Sequence, residues 1–558
     1  MKNFLRKGVM FGCVFAMVMT GCGAQGQTEV SKDTEKQTEV SNDTEKQTEV
    51  SNNTVQQSGV KASDKVFEGA VAIELSDTGI SVAGQAISDN SEEAVYAAKD
   101  IVFYLEGQDF TYGEGEKEDE HTQAEADAHT VVHITKPGTY VVSGSLSAGQ
   151  IAVDLGKDAK EDPEAVVTLI LNGVDIKCSV APAVIFYNVY ECGEKDEEKA
   201  GSVVDTTAAG ANVLIADESV NYVTGSYVAR IYKPDSVELS EDGTEVLEAK
   251  KLHKYDAAFY SKMTMNMNGD EKGTGVLYID AENEGLDSEL HLTINGGNIY
   301  IKSGNDGINT NEDGISVTTM NGGTLTIQVT GETKEGDGID SNGWLVINGG
   351  TLIAQGCSFS MDAGIDSDMG IYINGGTVIA TGNMLDHISE SSQNYAVFQF
   401  ASSQKAGNVY TLKDAEGKTV AECTPENDFS YLIFSTADMK AGSYTMWQGT
   451  NQLAGSVSET TGGMQFPGGM EMPEGMEIPE GMEIPEGMGM PEGMGMPNGM
   501  EMPEGMEGFG GGMPSQRPSG GKGGFGGTQN AAMSIEFVLA DGGNYFTNVG
   551  VAEDINTN

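Results

Sequence analysis

Asp287, Asp340 and Asp366 each stand 8 residues before an Asn-Gly-Gly, at Asn295, Asn348 and Asn374, and Asn309 precedes a further one, at Asn321, through a stretch 4 residues longer. Oxygen-bearing side chains recurring at one offset suit a hard cation, and calcium accepts roughly six to eight oxygens in loose geometry. A second set lies beside the first: Asp306 and Asp337 directly precede a glycine of the phrase, with Asp362 and Asp368 close by. Asp, Asn and Gly are favoured turn residues in any case, but turn preference does not select Asp at one offset three times. Stacked about 5 Å apart, such carboxylates repel by about 1 to 3 kcal/mol per pair. The expected metal ligands are therefore Asp287, Asp306, Asn309, Asp337, Asp340, Asp362, Asp366 and Asp368, with Ca2+ as the cofactor.

What must position these groups is legible in the repeat. Gly-(Leu/Ile)-(Asp/Asn)-(Ser/Thr) begins at Gly285, Gly307, Gly338 and Gly364, and Asn-Gly-Gly recurs every 26 or 27 residues. A period of that length marks a supersecondary unit that stacks on copies of itself. Within each unit apolar residues alternate, as in Leu292 and Ile294 before the turn and Ile299 and Ile301 after it, the period of half-buried strands. The architecture that keeps such a phrase at a fixed offset is all-β, a right-handed parallel β-helix with flanking strands; an antiparallel barrel would not preserve it. Val166 to Ile176 carries the same strand, Asn-Gly, strand phrase, and Asn268-Gly269 marks a second early copy. Acidic stretches at residues 113–127 and 191–200 read as loops outside the stack.

Residues 1–22 read as a signal peptide ending in Met19-Thr20-Gly21-Cys22, which resembles a bacterial lipobox with Cys22 as the lipidated residue. Residues 23–65 repeat Gln-Thr-Glu-Val-Ser every ten positions and form a solvated linker. The β-helix is expected over 66–390 and terminal β-strands over 391–458. A Met/Gly/Pro/Glu low-complexity stretch follows over 459–530 and a C-terminal tail over 531–558. Its Met-x-Met spacing suits Cu(I), but interleaved Glu and Pro, with Ile478 and Ile484 replacing Met, favour a spacer. With 85 acidic against 31 basic residues and a net charge of -54, the chain repels nucleic acid and anionic lipid. Cys178, Cys192, Cys357 and Cys423 show no metal-type spacing and are read equally well as disulfide partners or buried thiols. The protein is expected as a monomer tethered by its lipid to the outer face of the bacterial cell membrane.

Glycan contact calls for aromatic groups near the strands, and Tyr300, Trp344 and Tyr372 are the candidates, Tyr372 pointing outward by its alternation with Ile371 and Ile373. Ile134 to Gly144 (ITKPGTYVVSG), Leu171 to Ile176 (LNGVDI) and the Gly-Ile-Asp-Ser and Asn-Gly-Gly rungs together resemble the clostridial cell-surface carbohydrate-binding proteins with a polysaccharide-lyase-like β-helix. The resemblance spans residues 73–456 and implies calcium in the coil and binding of cellulose or acidic, pectin-like sugars without cleavage. A calcium-dependent lyase is the rival: it needs a basic side chain beside the metal, and between Gly285 and Gly376 there is no arginine and only Lys302 and Lys334. Abundant acids also leave room for a paired-carboxylate glycoside hydrolase, and a stacked coil without glycan affinity would be a structural adhesin. No catalytic residue is assigned.

Overall fold

A computed structural model describes residues 59, 61, 65–389, 391–458 and 532–552. The expected signal peptide with Cys22, most of the expected linker and the methionine hexads lie outside the described residues. Among those described, the protein is nearly all β: helix is confined to the six-residue Gln123–Ala128, closed by a Thr122/Glu125 capping box, and short 3-10 turns.

Three ladders of parallel strands carry the repeats. The first runs through Met265–Gly269, Leu292–Ile294, Val317–Met320, Trp344–Ile347 and Gly370–Ile373. The second runs through Val220–Gly225, Val276–Ala281, Asn298–Ser303, Thr324–Val329, Thr351–Gln355 and Thr377–Gly382. The third joins Gly149–Asp154, Val184–Asn188, Ala257–Ser261, Glu284–Ser288, Ile308–Thr310 and Ile339–Ser341. The sheets are mixed overall and do not close into a barrel.

Alternate residues of all three ladders form one apolar interior. Leu277, Ile299, Leu325, Leu352 and Val378 stack in register, each fully buried. Leu325→Ala leaves a cavity between two packed neighbours, so unfolding stability is expected to drop by about 2 to 5 kcal/mol, read as a lower urea midpoint.

The repeat phrases have separable physical causes. Asn321 donates its side-chain N–H to Asn295 Oδ1 (2.9 Å), Asn348 to Asn321 (3.0 Å) and Asn374 to Asn348 (3.0 Å), a side-chain ladder running along the turns. The glycine that ends each turn is left-handed, as at Gly350 with φ +85°. In the other phrase the glycine lets rungs touch: a Cβ on Gly307 would lie 2.5 Å from the carbonyl oxygen of Gly338. Leu or Ile faces the core, and the hydroxyl closes the next turn, Ser288 Oγ donating to His291 O and Ser341 Oγ to Trp344 O, both at 3.0 Å. The Asp remains, turned away from the apolar interior.

Two stretches take places that their composition does not announce. The acidic insert after Tyr190 packs against the stack: Glu191 is buried and accepts from the Thr264 amide, and Ala200 and Val204 lie on an apolar cluster of Val317, Trp344 and Val346. Residues 537–551, at the chain end expected as a tail, supply the strands Phe537–Leu539 and Gly543–Val551. The second pairs in parallel with Tyr395–Gln404 inside an otherwise antiparallel module with its own core, built on Phe398, Phe429, Phe434, Phe537 and Phe546. The module's strand Phe429–Ser435 pairs with Thr377–Gly382, so that edge of the last rung is not left open. Cys178, Cys192, Cys357 and Cys423 are free thiols, and burial pushes Cys178 up to about 12 and Cys192 up to about 11.

Candidate functional site

The third ladder sets Asp287, Asn309 and Asp340 opposite one another in register. Asp366 follows on the next rung, where its amide donates to Ile339 O at 2.7 Å. Beside this row runs another, of residues preceding the close-approach glycine. Asp306 and Asp337 belong to it as expected, and so does Glu284, which is not among the expected ligands although it stands directly before Gly285. The rung amides link them, Gly285 N donating to Asp306 O and Gly307 N to Asp337 O. Asp362 lies one place off this row, and the equivalent position is Ala363, whose carbonyl accepts from Gly338 N.

These acids are buried together. Glu284, Asp287 and Asp306 are 5%, 1% and 9% exposed. Burial first, then mutual repulsion, pushes the carboxyls of Glu284, Asp287, Asp306 and Asp337 well above the usual carboxylate range. Asp340 and Asp366 are pushed up for the same reasons, to about 6 and about 7, with Asp386 as a further repelling neighbour. Asp368 is also raised, by burial and then Asp313. Hydrogen bonds answer part of this demand. Asp306 accepts from Asp337 N at 2.6 Å, Asp362 from Gly336 N at 2.7 Å, and Asp386 from Ser367 N at 3.0 Å.

One cation reaches the rows from the strand just before the ladder's Ala257–Ser261. Lys254, on the strand Lys251–Tyr255, forms an ion pair with Asp256 at 2.7 Å, and its charge acts on Glu284 and Asp287. Asn309 Nδ2 donates to Glu284 Oε1 at 3.2 Å, yet Glu284 Oε2 and Asn309 Oδ1 are buried without any partner among the described residues. Buried acceptors without donors are costly, and both orphans are the hard oxygens calcium takes. Among the described residues, no three His, Cys, Asp or Glu side chains converge as a ligand set by themselves.

The aromatic candidates separate. Trp344 is 9% exposed beneath Ala200 and Val204 of the acidic insert, with Tyr372 half-buried beside it. Tyr300 is 37% exposed and stacks on Tyr278, which stacks on Tyr222. Neither Tyr278 nor Tyr222 is marked out by sequence, because the spacing between their strands changes with each insert. A cleft of about 600 Å3 lined by Phe103, Tyr112, Ile231, Tyr232, Leu252 and His253 contains none of these groups.

His291 ties the insert to the stack. Its Nδ1 accepts from Val317 N and its Nε2 donates to Glu194 O, both at 3.1 Å, and burial lowers it from 6.5 to about 4. The fold therefore holds the neutral ring. Its contribution is complete above pH 6.5 and lost as pH falls towards 4, by about 2 to 3 kcal/mol. The drop in urea midpoint between pH 7.5 and 4.5 should be smaller in His291→Gln than in the wild type, and equal drops would contradict this.

A family model described as carbohydrate-binding domain-containing protein matches residues 128–426, more than half the chain. A protein of Acetivibrio thermocellus with the same description is 30% identical over 173 residues, covering 31% of this chain and 45% of that relative. No solved structure matches.

Proposed function

Because the chain belongs to the carbohydrate-binding domain-containing family, we propose that it binds polysaccharide, cellulose or an acidic pectin-like polymer, non-catalytically, through a calcium-stabilised parallel β-helix. The three parallel ladders around one apolar interior support the coil. The observation that carries calcium is the pair of orphaned buried oxygens, Glu284 Oε2 and Asn309 Oδ1, among acids that repel one another. Asp287, Asn309, Asp340 and Asp366 on one row, with Glu284, Asp306 and Asp337 on the other and Asp362 and Asp368 beside them, would hold the ions. Calcium there would supply counter-charge and fix the spacing of the rungs. Lipidation at Cys22 would tether the protein to the outer face of the membrane. No helix among the described residues is long and apolar enough to cross a bilayer.

Lys254 gives the lyase reading a specific observation, a lysine beside the acid rows. Its nitrogen is engaged at 2.7 Å with Asp256, which favours its role as a structural cation over that of a base. Retention on insoluble cellulose or polygalacturonate with no release of unsaturated uronates is the expected result. Accumulating product would replace the binding reading with a lyase, and retention on neither polymer would favour an adhesin.

A further inference from the structure

We propose that the stacked rings of Tyr222, Tyr278 and Tyr300 form the face on which a neutral β-linked glucan lies, crossing the strands with one sugar to each tyrosine. This rests on the carbohydrate-binding reading and gives it a place on the molecule. The three residues occupy one outward row of the second ladder, in direct register. Their ring centroids are 5.1 and 5.0 Å apart, with interplanar angles of 10° and 22°. The stack thus presents ring edges and phenol hydroxyls at a step close to the length of one β-linked pyranose in an extended chain.

Three further observations point to a ligand. Tyr278 and Tyr300 remain 39% and 37% exposed although each stacks on a neighbour. Among the described residues, no protein group bonds the hydroxyls of the three tyrosines, so each is left to donate and accept. The same row continues as Thr326, Ile353 and Ile379, and the two isoleucines pack into the core of the C-terminal module. The row passes from tyrosine through Thr326 to isoleucine, and it is aliphatic where the chain covers itself.

Charge selects the class of glycan. Asp280 and Lys302 lie side by side next to the tyrosines, and Asp175 is the register partner of Tyr222, two places before Lys177. With Asp77, whose charge also reaches Asp175, this patch holds three aspartates against two lysines, in a chain of net charge -54. A polyuronate would meet these aspartates as well as the two lysines, and the acidic field of the whole molecule would oppose it, whereas a neutral chain meets hydrogen-bonding groups and ring edges without that opposition.

The test is binding of the full chain to cellohexaose and to insoluble cellulose, with polygalacturonate as a second probe. Tyr278→Ala/Tyr300→Ala should weaken glucan binding about tenfold or more, the loss of two aromatic contacts. Tyr278→Phe/Tyr300→Phe keeps the stack, should melt near the wild type, and should weaken binding several-fold through the hydroxyls alone; it decides the matter if the alanine variant does not fold. Wild-type affinity in both variants would overturn the ladder as the glycan face while leaving the carbohydrate-binding reading standing. Binding of polygalacturonate in preference to glucan, lost in the same variants, would overturn the choice of a neutral chain. A wild-type protein that binds neither polymer would overturn the carbohydrate-binding reading and this site with it.

Discussion

A chelator is expected to lower the melting temperature by about 10 °C by withdrawing the proposed calcium. One site held at a thousandfold excess over its dissociation constant contributes about 4 kcal/mol, and each kcal/mol shifts a large domain by roughly 2 to 4 °C. The acid rows supply the reason. Glu284, Asp287 and Asp306 are almost wholly buried, Lys254 is the cation whose charge reaches the first two, and two oxygens have no partner among the described residues. A variant at the less buried end of the row should respond differently with and without calcium. Asp366→Asn removes one repelling charge, so in chelator it should melt at or above the wild type, while in calcium it should gain less than the wild type does. Thermal melts followed by circular dichroism read all four states. A wild-type melting temperature indifferent to chelator would remove calcium from these rows.

Gly350→Ala is expected to cost about 3 kcal/mol or more. Gly350 sits at φ +85°, and a Cβ there would lie 2.7 Å from the carbonyl oxygen of Gly323 on the rung below and 2.8 Å from the carbonyl carbon of Gly322. The left-handed backbone alone costs an L-residue about 1 to 2 kcal/mol; the contact with backbone adds to it, because the rungs are held together by their own ladders and have nowhere to move. Gly417 isolates the two causes. It has a φ of +81° and nothing within 4 Å of an added Cβ, so Gly417→Ala should cost the backbone share alone. Equal urea midpoints for the two variants would mean that the close stacking of Asn-Gly-Gly turns carries no energy.

Most of the rung is legible in its residues. The offset of Asp287 and Asp340 from their Asn-Gly-Gly places them on one row, and the longer stretch after Asn309 does not remove it from that row, because the extra residues form the turn at 311–316. The alternation of Leu292, Ile294, Ile299 and Ile301 matches their burial. Glu284 is legible in principle, since it occupies the position of Asp306 and Asp337; a search for aspartate alone passes over it. Lys254 is not legible, because its approach to Glu284 and Asp287 depends on an insert of no repeating pattern. The strand character of residues 537–551 is hidden by the long biased stretch that precedes them.

The aromatic residues show the division most plainly. Tyr300, Trp344 and Tyr372 look alike in sequence, each in a strand whose neighbours alternate with it, and local pattern says only which way a side chain leaves its strand. Whether it then meets solvent depends on what the chain lays over it. Trp344 lies under Ala200 and Val204, while Tyr300 stacks in the open with Tyr278 and Tyr222. Short-range periodicity therefore determined the strands, the stacking register and the row of acids, since each follows from a repeat distance along the chain. Tertiary structure alone decided which rows are buried, which cation reaches them and which ring stack stays exposed, since each depends on inserts that return from outside the repeat.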